Sequence, residues 1–307
     1  MNYNLITILG PTATGKTKLA AYLAYHFNGE IISADSRQVY KYMDIGTGKD
    51  YDDYICRERK IPYHLIDIIE PTEEYNLFQF HHDFQRAYSD IISRDKFPFL
   101  AGGTGLYLSS VIQKYDLHKA QFTEERISQL KKLSLDSLRN ILVDLKPKQH
   151  NVTDLEDKGR IIKAIIVAES EAEPLNNDVE IKSLNIGNRF DRDIIKSRIT
   201  ERLRKRLESG MIEEVKKLLD MGVTHEKLRF FGLEYKYLSL YLQGKLSYND
   251  MYQKLNSAIH KFAKRQMTWF RKMEREGVPI NWFGGNDYEK IRKFIEMKLG
   301  ENETPAW

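Results

Sequence analysis

The segment GPTATGKT, Gly10–Thr17, has the spacing G-x-x-x-x-G-K-T that gathers backbone N–H groups around an anion at a helix N-terminus. Gly10 and Gly15 permit the tight turn, and the amides of residues 13–17 face the anion. Lys16 supplies a charge that neutralises phosphate, and the Thr17 hydroxyl is a ligand suited to Mg2+. The apolar run before the loop reads as a strand and the run after it as a helix, the setting in which such a loop works. The alternative is a chance glycine-rich turn with Lys16 as a surface lysine, and that setting argues against it.

Two further segments supply groups that can react. Asp35 closes the run EIISA and precedes Ser36, Arg37 and Gln38. A carboxylate there can act as a general base or stand beside a Mg2+ shell; it can equally be a turn or cap residue. A phosphate-cleaving enzyme also needs an acid at the end of a later strand to organise its metal. Where one is expected the chain reads AGGTGLY, residues 101–107. Its glycines let backbone approach a ligand closely, and Thr104 is either a hydrogen-bonding group for that ligand or a helix N-cap.

These loops need a frame. The runs 4–9, 30–34, 63–69 and 97–101 are apolar throughout, as expected of buried parallel strands. Between them Leu19, Ala20, Leu23, Ala24 and Phe27 follow helical spacing, as do Phe80, Phe84, Ala87 and Ile91. The pattern predicts an α/β fold, a parallel sheet with helices on both faces and ligands beyond the carboxyl ends of its strands. Residues 1–115 read as the first part of this core. Residues 116–185 read as a polar helical insertion ending in the acidic stretch 168–178, with 181–187 as a run that can rejoin the sheet. Residues 186–307 read as the second part of the core, helical from 191 onward, with a loose tail GENETPAW.

Composition narrows the class. The 307 residues are 41% hydrophobic and 30% charged with a net charge of +4, values that fit a soluble protein and permit nucleic acid without demanding it. No apolar run approaches the roughly 20 residues of a membrane span, and no leader is visible, so a cytosolic protein is expected. The single cysteine, Cys56, excludes an internal disulfide and a multi-cysteine zinc site. His260, Lys261, Lys264, Arg265, Arg271 and Lys272 recur at helical spacing, giving one basic face that is either solvated surface or an RNA contact. Trp269 and Phe270 interrupt it and read as core packing. RLRKR, 202–206, is either helix surface or phosphate contact, and His64 reads as a hydrogen-bonded core histidine.

Taken together, GPTATGKTKLA (10–20), ISADSRQVY (32–40), MDIGTGK (43–49), IPYHLIDI (61–68), AGGTGLYL (101–108) and AKRQMTWFR (263–271) resemble the tRNA dimethylallyltransferase (tRNA isopentenyltransferase) family, in the family's order over nearly the whole chain. The resemblance implies a P-loop NTPase-like core whose loop, through Gly10, Thr12, Ala13, Thr14, Gly15, Lys16 and Thr17, holds the diphosphate of dimethylallyl diphosphate rather than ATP. It implies transfer of the five-carbon group to N6 of the adenosine at position 37, beside the tRNA anticodon, with Mg2+ held at Thr17. Asp35 matches the family's base, Thr104 a threonine near the reacting groups, and Arg198 an arginine for the diphosphate, with Arg202 as the other candidate. The tRNA contacts implied are Asp35, Ser36, Arg37, Gln38, Thr104, Gly159, Arg160, Lys163, Lys264, Arg265 and Gln266. The partners are then the anticodon stem-loop and dimethylallyl diphosphate, with no membrane and a single copy of the chain.

The match has departures. A Thr-Arg pair usual before the basic motif is Ile259–His260 here. In the insertion, Lys158, Lys163 and Ile166 replace a Pro, an Arg and a Glu, and FFGLEY stands where Ile-Gly-Tyr is usual. Lys for Arg keeps charge but loses the bidentate fork. Two other activities stay in view: prenyl transfer to a free adenine nucleotide, and phosphoryl transfer by a P-loop kinase. The long insertion and basic helix argue against the first, and DSRQVY with AGGTG against the second.

Overall fold

The computed structural model describes residues 3–115, 123–145, 157–170, 179–285 and 287–300. Strand β1 (Leu5–Leu9) is wholly buried and leads through the loop into helix α1 (Lys16–His26), which buries Leu19, Ala20, Ala21, Leu23 and Ala24. Strand β2 (Gly29–Ala34) follows, then the small hairpin β3 (Ile55–Cys56) and β4 (Arg59–Lys60) and the short β5 (Tyr63–His64). Helix α2 (Leu77–Ser93) starts at a capping box between Asn76 and Gln79; β6 (Phe97–Gly102) and α3 (Gly105–Ile112) complete the first part.

The chain then forms α4 (Glu124–Lys131), α5 (Leu135–Leu145) and α6 (Lys158–Glu169). These helices share a core of their own, built from Leu130, Leu138, Leu142, Ile161, Ile162, Ile165 and Ile166. The described residues between 116 and 179 are one compact unit, and those up to 115 and from 180 onward are another. The second unit continues with β7 (Ser183–Arg189), α7 (Arg192–Glu208), α8 (Met211–Asp220), α9 (His225–Phe230), α10 (Leu233–Leu242), α11 (Tyr248–Arg275), β8 (Asn281–Gly284) and α12 (Tyr288–Gly300).

The sheet of this larger unit runs in the order β5-β2-β6-β1-β7-β8, and every pair is parallel. On one face α1 and α12 bring Leu19, Leu23, Ile291 and Ile295 onto Ile6, Ile8, Ile31 and Phe99. The other face packs against α2, α3 and the helices after β7 through residues such as Phe80, Phe84, Leu203 and Phe270. Gly102 lets β6 approach β2, because a Cβ there would overlap the Ala34 carbonyl. The loops after β1, β2, β6 and β7 therefore meet at one edge, the carboxyl ends of adjacent strands.

Three details differ from the sequence reading. The strand expected over 63–69 pairs with β2 only at Tyr63 and His64. Leu65 and Asp67 adopt left-handed φ of 62° and 56°, which breaks the ladder, and Asp67 N and Ile68 N bond instead to Gln38 O and Val39 O. Strand β7 begins at Ser183, inside the stretch assigned to the insertion, because Leu5–Leu9 offers a free edge that Ser183–Gly187 fills. The region after 191 is not purely helical: β8 adds to β7 as the outermost strand. Most of the acidic stretch 168–178 and nearly all of the tail lie outside the described residues. Among the described residues, no helix is long and apolar enough to cross a membrane.

Candidate active site

The anion loop is shaped by its neighbours. Ala13 and Gly15 take left-handed φ of 63° and 73°, which turns the chain from β1 into the first turn of α1. At Gly10 a Cβ would overlap the Asn188 carbonyl oxygen, so the glycine lets β1 and β7 close beneath the loop. Asn188 is fully buried at the end of β7 and donates through Nδ2 to Thr14 O at 2.7 Å, while Thr14 Oγ1 donates to Pro11 O at 2.9 Å. Lys16 Nζ folds back onto Pro11 O at 2.7 Å. Burial and then the charge of Arg202 push the Lys16 pKa down to about 8, while the Asp35 carboxylate pulls it up. The charges of Arg202 and Asp35 thus both reach Lys16.

Asp35 sits at the carboxyl end of β2 and accepts a hydrogen bond from Arg37 N at 2.9 Å, an Asx-type turn that fixes the carboxylate. Thr104 does occupy the N-cap position of α3, yet its hydroxyl makes no cap bond. It accepts from Ser36 N at 3.1 Å and lies 3.4 Å from Ser36 Oγ, tying the loop after β6 to the loop after β2. Gln38 is buried and joins Ser33 Oγ to Gly48 O, so its amide braces the site from within.

Gln266 was expected on an RNA-facing surface. It is instead only 7% exposed, accepting from Thr12 N and donating to Gly103 O, both at 2.8 Å. One amide therefore cross-links the anion loop to the glycine loop, and neither its donor nor its acceptor end is turned to solvent. Trp269, one turn on, packs against Gly105 and donates from Nε1 to Ser109 Oγ at 2.8 Å, while Phe270 lies wholly in the core. Lys264 and Arg265 are exposed on α11, as are Lys261 and Arg271. His260 is half-buried beside Thr200, and burial lowers its pKa. His64 pairs with the buried Glu30 at 2.8 Å, away from these loops.

The arginines come from α7. Arg198 lies over the ring of Phe190, with 3.8 Å to its centroid. Arg202, one turn on, is the arginine whose charge Lys16 feels, and it pairs with Asp50 at 2.6 Å. Gly159, Arg160 and Lys163 lie on α6 in the helical unit, all three exposed, with Arg160 N held by the Asp157 cap.

Several residues that shape the site carry no local signal. Glu214 on α8 accepts from the backbone N–H groups of Asp44, Ile45 and Gly46 at 2.8, 2.6 and 3.0 Å, and from Tyr235 Oη at 2.8 Å. It holds the loop that carries Gly48 and Lys49. The Lys49 ammonium is itself buried against Tyr40 O, Asp44 and Asp67. Asn188 and Glu234 also escape sequence reading, and Arg206 appeared there only as part of a basic run.

Chemically these loops offer an amide-lined anion site with Lys16 beside it, a fixed carboxylate at the end of β2, and no acid closing β6. Among the described residues no group of three or more His, Cys, Asp or Glu side chains could hold a metal by itself.

Comparison with known proteins agrees with this arrangement. The family model described as IPP transferase matches residues 38–273, and one described as isopentenyl transferase matches residues 3–65. The chain is 52% identical over 294 residues to tRNA dimethylallyltransferase 2 of Citrifermentans bemidjiense, covering 96% of this chain and 94% of the relative. It is 50% identical over 305 residues to tRNA dimethylallyltransferase 2 of Phocaeicola vulgatus, covering 98% and 99%. Among solved structures, the tRNA isopentenylpyrophosphate transferase of Bacillus halodurans superposes with a TM-score of 0.70 at 32% identity, over 98% of both chains. The chain, whose anion loop, DSRQ turn and glycine loop meet at one sheet edge, therefore belongs to the IPP transferase family.

Proposed function

We propose that the chain transfers the dimethylallyl group of dimethylallyl diphosphate to N6 of adenosine 37 in tRNA. The observation that carries the reading is an anion loop whose Lys16 feels both Arg202 and the fixed carboxylate of Asp35, without the acid that phosphoryl transfer places on a later strand. The diphosphate sits on the amides of residues 13–17, with Lys16 and Arg202 opposite its developing charge. As N6 forms its bond to the first carbon of the allyl group, the bond from that carbon to oxygen breaks and its electron pair leaves with the diphosphate. The N6 proton passes to Asp35. Arg198, Ser36 and Thr104 order the surroundings, and the adenine must leave its stack to reach them. Exposed Lys264, Arg265 and, on the helical unit, Arg160 and Lys163 supply phosphate contacts to the anticodon stem-loop.

The donor set for a divalent cation is the Thr17 hydroxyl at the start of α1 together with the oxygens of the diphosphate. These are hard oxygen ligands of the kind Mg2+ takes. Thr17 would hold that ion, which when bound neutralises leaving-group charge. On this reading the chain acts in the cytosol and as a single copy.

The test incubates the protein with Mg2+, labelled dimethylallyl diphosphate and unmodified tRNA, with AMP and ATP as parallel acceptors, and then separates the nucleosides. Label in N6-modified adenosine from tRNA alone supports the reading. Label on free nucleotide, or a phosphorylated product from ATP, overturns it.

A further inference from the structure

Arg206 extends the series Arg198, Arg202, Arg206 along α7, each four residues from the last and so on neighbouring turns of one face. Arg202 and Arg206 rise from different turns yet converge. A Cβ on Gly48 would overlap Arg206 Nη2 and lie 2.5 Å from Arg202 Nη2, so both guanidinium ends rest on the same glycine. Gly48 takes a left-handed φ of 70°, a conformation that suits glycine at this close approach. Two like charges side by side repel, and Arg202 is compensated by Asp50 at 2.6 Å while Arg206 has no such partner among the described residues.

The side chain of Arg206 is half-buried, and among the described residues its buried Nε and Nη2 atoms have no hydrogen-bond partner. Those two nitrogens form the edge of the guanidinium that matches two oxygens of a phosphate in a bidentate pair. Glu234, in the first turn of α10, is a countercharge that Arg206 feels, but it makes no ion pair with it among the described residues. Glu234 is half-buried, and desolvation raises its pKa against the pull of Arg206. A buried guanidinium edge left unpaired is costly, and one that adjoins Arg202 over Gly48 is poised for an anion.

We propose that Arg206 is a further diphosphate-binding residue, its Nε–Nη2 edge taking oxygens of the leaving diphosphate beside Arg202 over Gly48. The inference rests on the reading of residues 10–17 as a diphosphate loop. Arg202 then bridges the amide-lined end of the anion near Lys16 and the end held by Arg206. The cation row explains why the loop 43–49 is tied down so firmly by Glu214, since Gly48 is the surface on which both guanidinium groups lie.

Inorganic pyrophosphate is the probe, titrated calorimetrically with Mg2+ into the full chain. Arg206→Gln should weaken its binding by roughly 10- to 100-fold, the scale of a charged bidentate contact, with tRNA affinity unchanged. Arg206→Lys, which keeps the charge but loses the fork, should fall between, and it serves as the test if the glutamine variant does not fold. Glu234→Gln removes the carboxylate that competes for Arg206 and should leave pyrophosphate binding equal or tighter. Folded Arg206 variants that bind pyrophosphate like the parent would overturn the assignment. So would a loss in Glu234→Gln as large as in Arg206→Gln, since Arg206 would then be held for its pairing with Glu234. If the parent itself binds no pyrophosphate, or binds it equally well after Lys16→Ala, the diphosphate reading fails first and the inference with it.

Discussion

Replacing Glu214 by Gln changes one oxygen for one N–H2 group at nearly constant shape, and the structure sets what that should cost. Oε2 accepts from Asp44 N and Ile45 N; Oε1 accepts from Gly46 N and Tyr235 Oη. If the new amide nitrogen takes the Oε2 position it faces two backbone donors, both of which lose their acceptor. If it takes the Oε1 position only Gly46 N is orphaned, because the Tyr235 hydroxyl can turn and accept. The second arrangement is cheaper and should prevail. It leaves one buried N–H unpaired, at about 1–3 kcal/mol, and reduces two charge-assisted bonds to neutral ones, at roughly 1 kcal/mol together, for a total of about 2–4 kcal/mol. At the size of this unit that lowers the melting temperature by roughly 4–8 °C. Thermal unfolding followed by Trp269 and Trp282 fluorescence reads the larger unit directly, and Tyr235→Phe, which removes one bond only, should fall by less than half as much. Because the loop carries Gly48, pyrophosphate affinity should fall alongside stability. A Glu214→Gln protein that melts with the parent and binds pyrophosphate as well would show that loop 43–49 holds its shape without the carboxylate.

Three other perturbations separate the parts of the site. With its pKa pushed down to about 8, Lys16 is charged below that pH and neutral above it, so pyrophosphate affinity should fall as pH rises through 8, approaching tenfold per unit beyond it. Lys16→Arg cannot deprotonate in that range and should remove this component, so a parent and variant with the same pH profile would dismiss Lys16 as the group responsible. Asp35→Asn should leave tRNA binding nearly intact and cut turnover by roughly 100-fold or more in single-turnover assays, and unimpaired turnover would take the carboxylate out of the mechanism. Gly102→Ala would drive a methyl into the Ala34 carbonyl between two central strands, where neither backbone can retreat. It should yield insoluble or far less stable protein, and a well-folded variant in equilibrium unfolding would contradict the close packing of β2 and β6.

What the sequence revealed follows the range of the interactions involved. The anion loop was legible because its chemistry is local: eight consecutive residues make the turn, the amides and the charge. The alternation of apolar runs and helical spacings likewise disclosed the parallel sheet. Gln266 was misjudged because its role depends on Thr12, 254 positions away, and a glutamine between exposed lysine, arginine and threonine carries no mark of burial. Glu214 was invisible for the same reason, an acid in an amphipathic helix that happens to point at three amides. The strand expected over 63–69 failed differently. Its apolar run is real, but the left-handed turns at Leu65 and Asp67 are properties of backbone geometry that an apolar pattern does not record. β8 is only four residues, too short for any period to show.

The charge layout also bears on why such a loop should serve allyl transfer. A phosphoryl-transferring site concentrates its acids around the metal, so that charge is neutralised on the group in flight. Here the cations Lys16, Arg202 and Arg206 gather at the anion loop and Gly48, and the carboxylate of Asp35 stands at the end of β2, with β6 between it and the strand that carries the loop. That polarity draws a leaving anion one way and a proton the other, which is what alkylation of an amine by an allylic diphosphate requires. Between the two poles the side chains that join the loops are neutral: Thr104 with Ser36, and Gln266 with Gly103 and Thr12. Neutral bridges fix the spacing of the poles without cancelling the field between them. Exchanging Gln266 for Glu would place a third charge there, next to Thr12 N and Gly103 O, and would repel both that carbonyl and the diphosphate. The layout thus makes the uncharged amide a condition of the polarity, and a Gln266→Glu protein that kept full pyrophosphate affinity would show that the field between the poles does not matter.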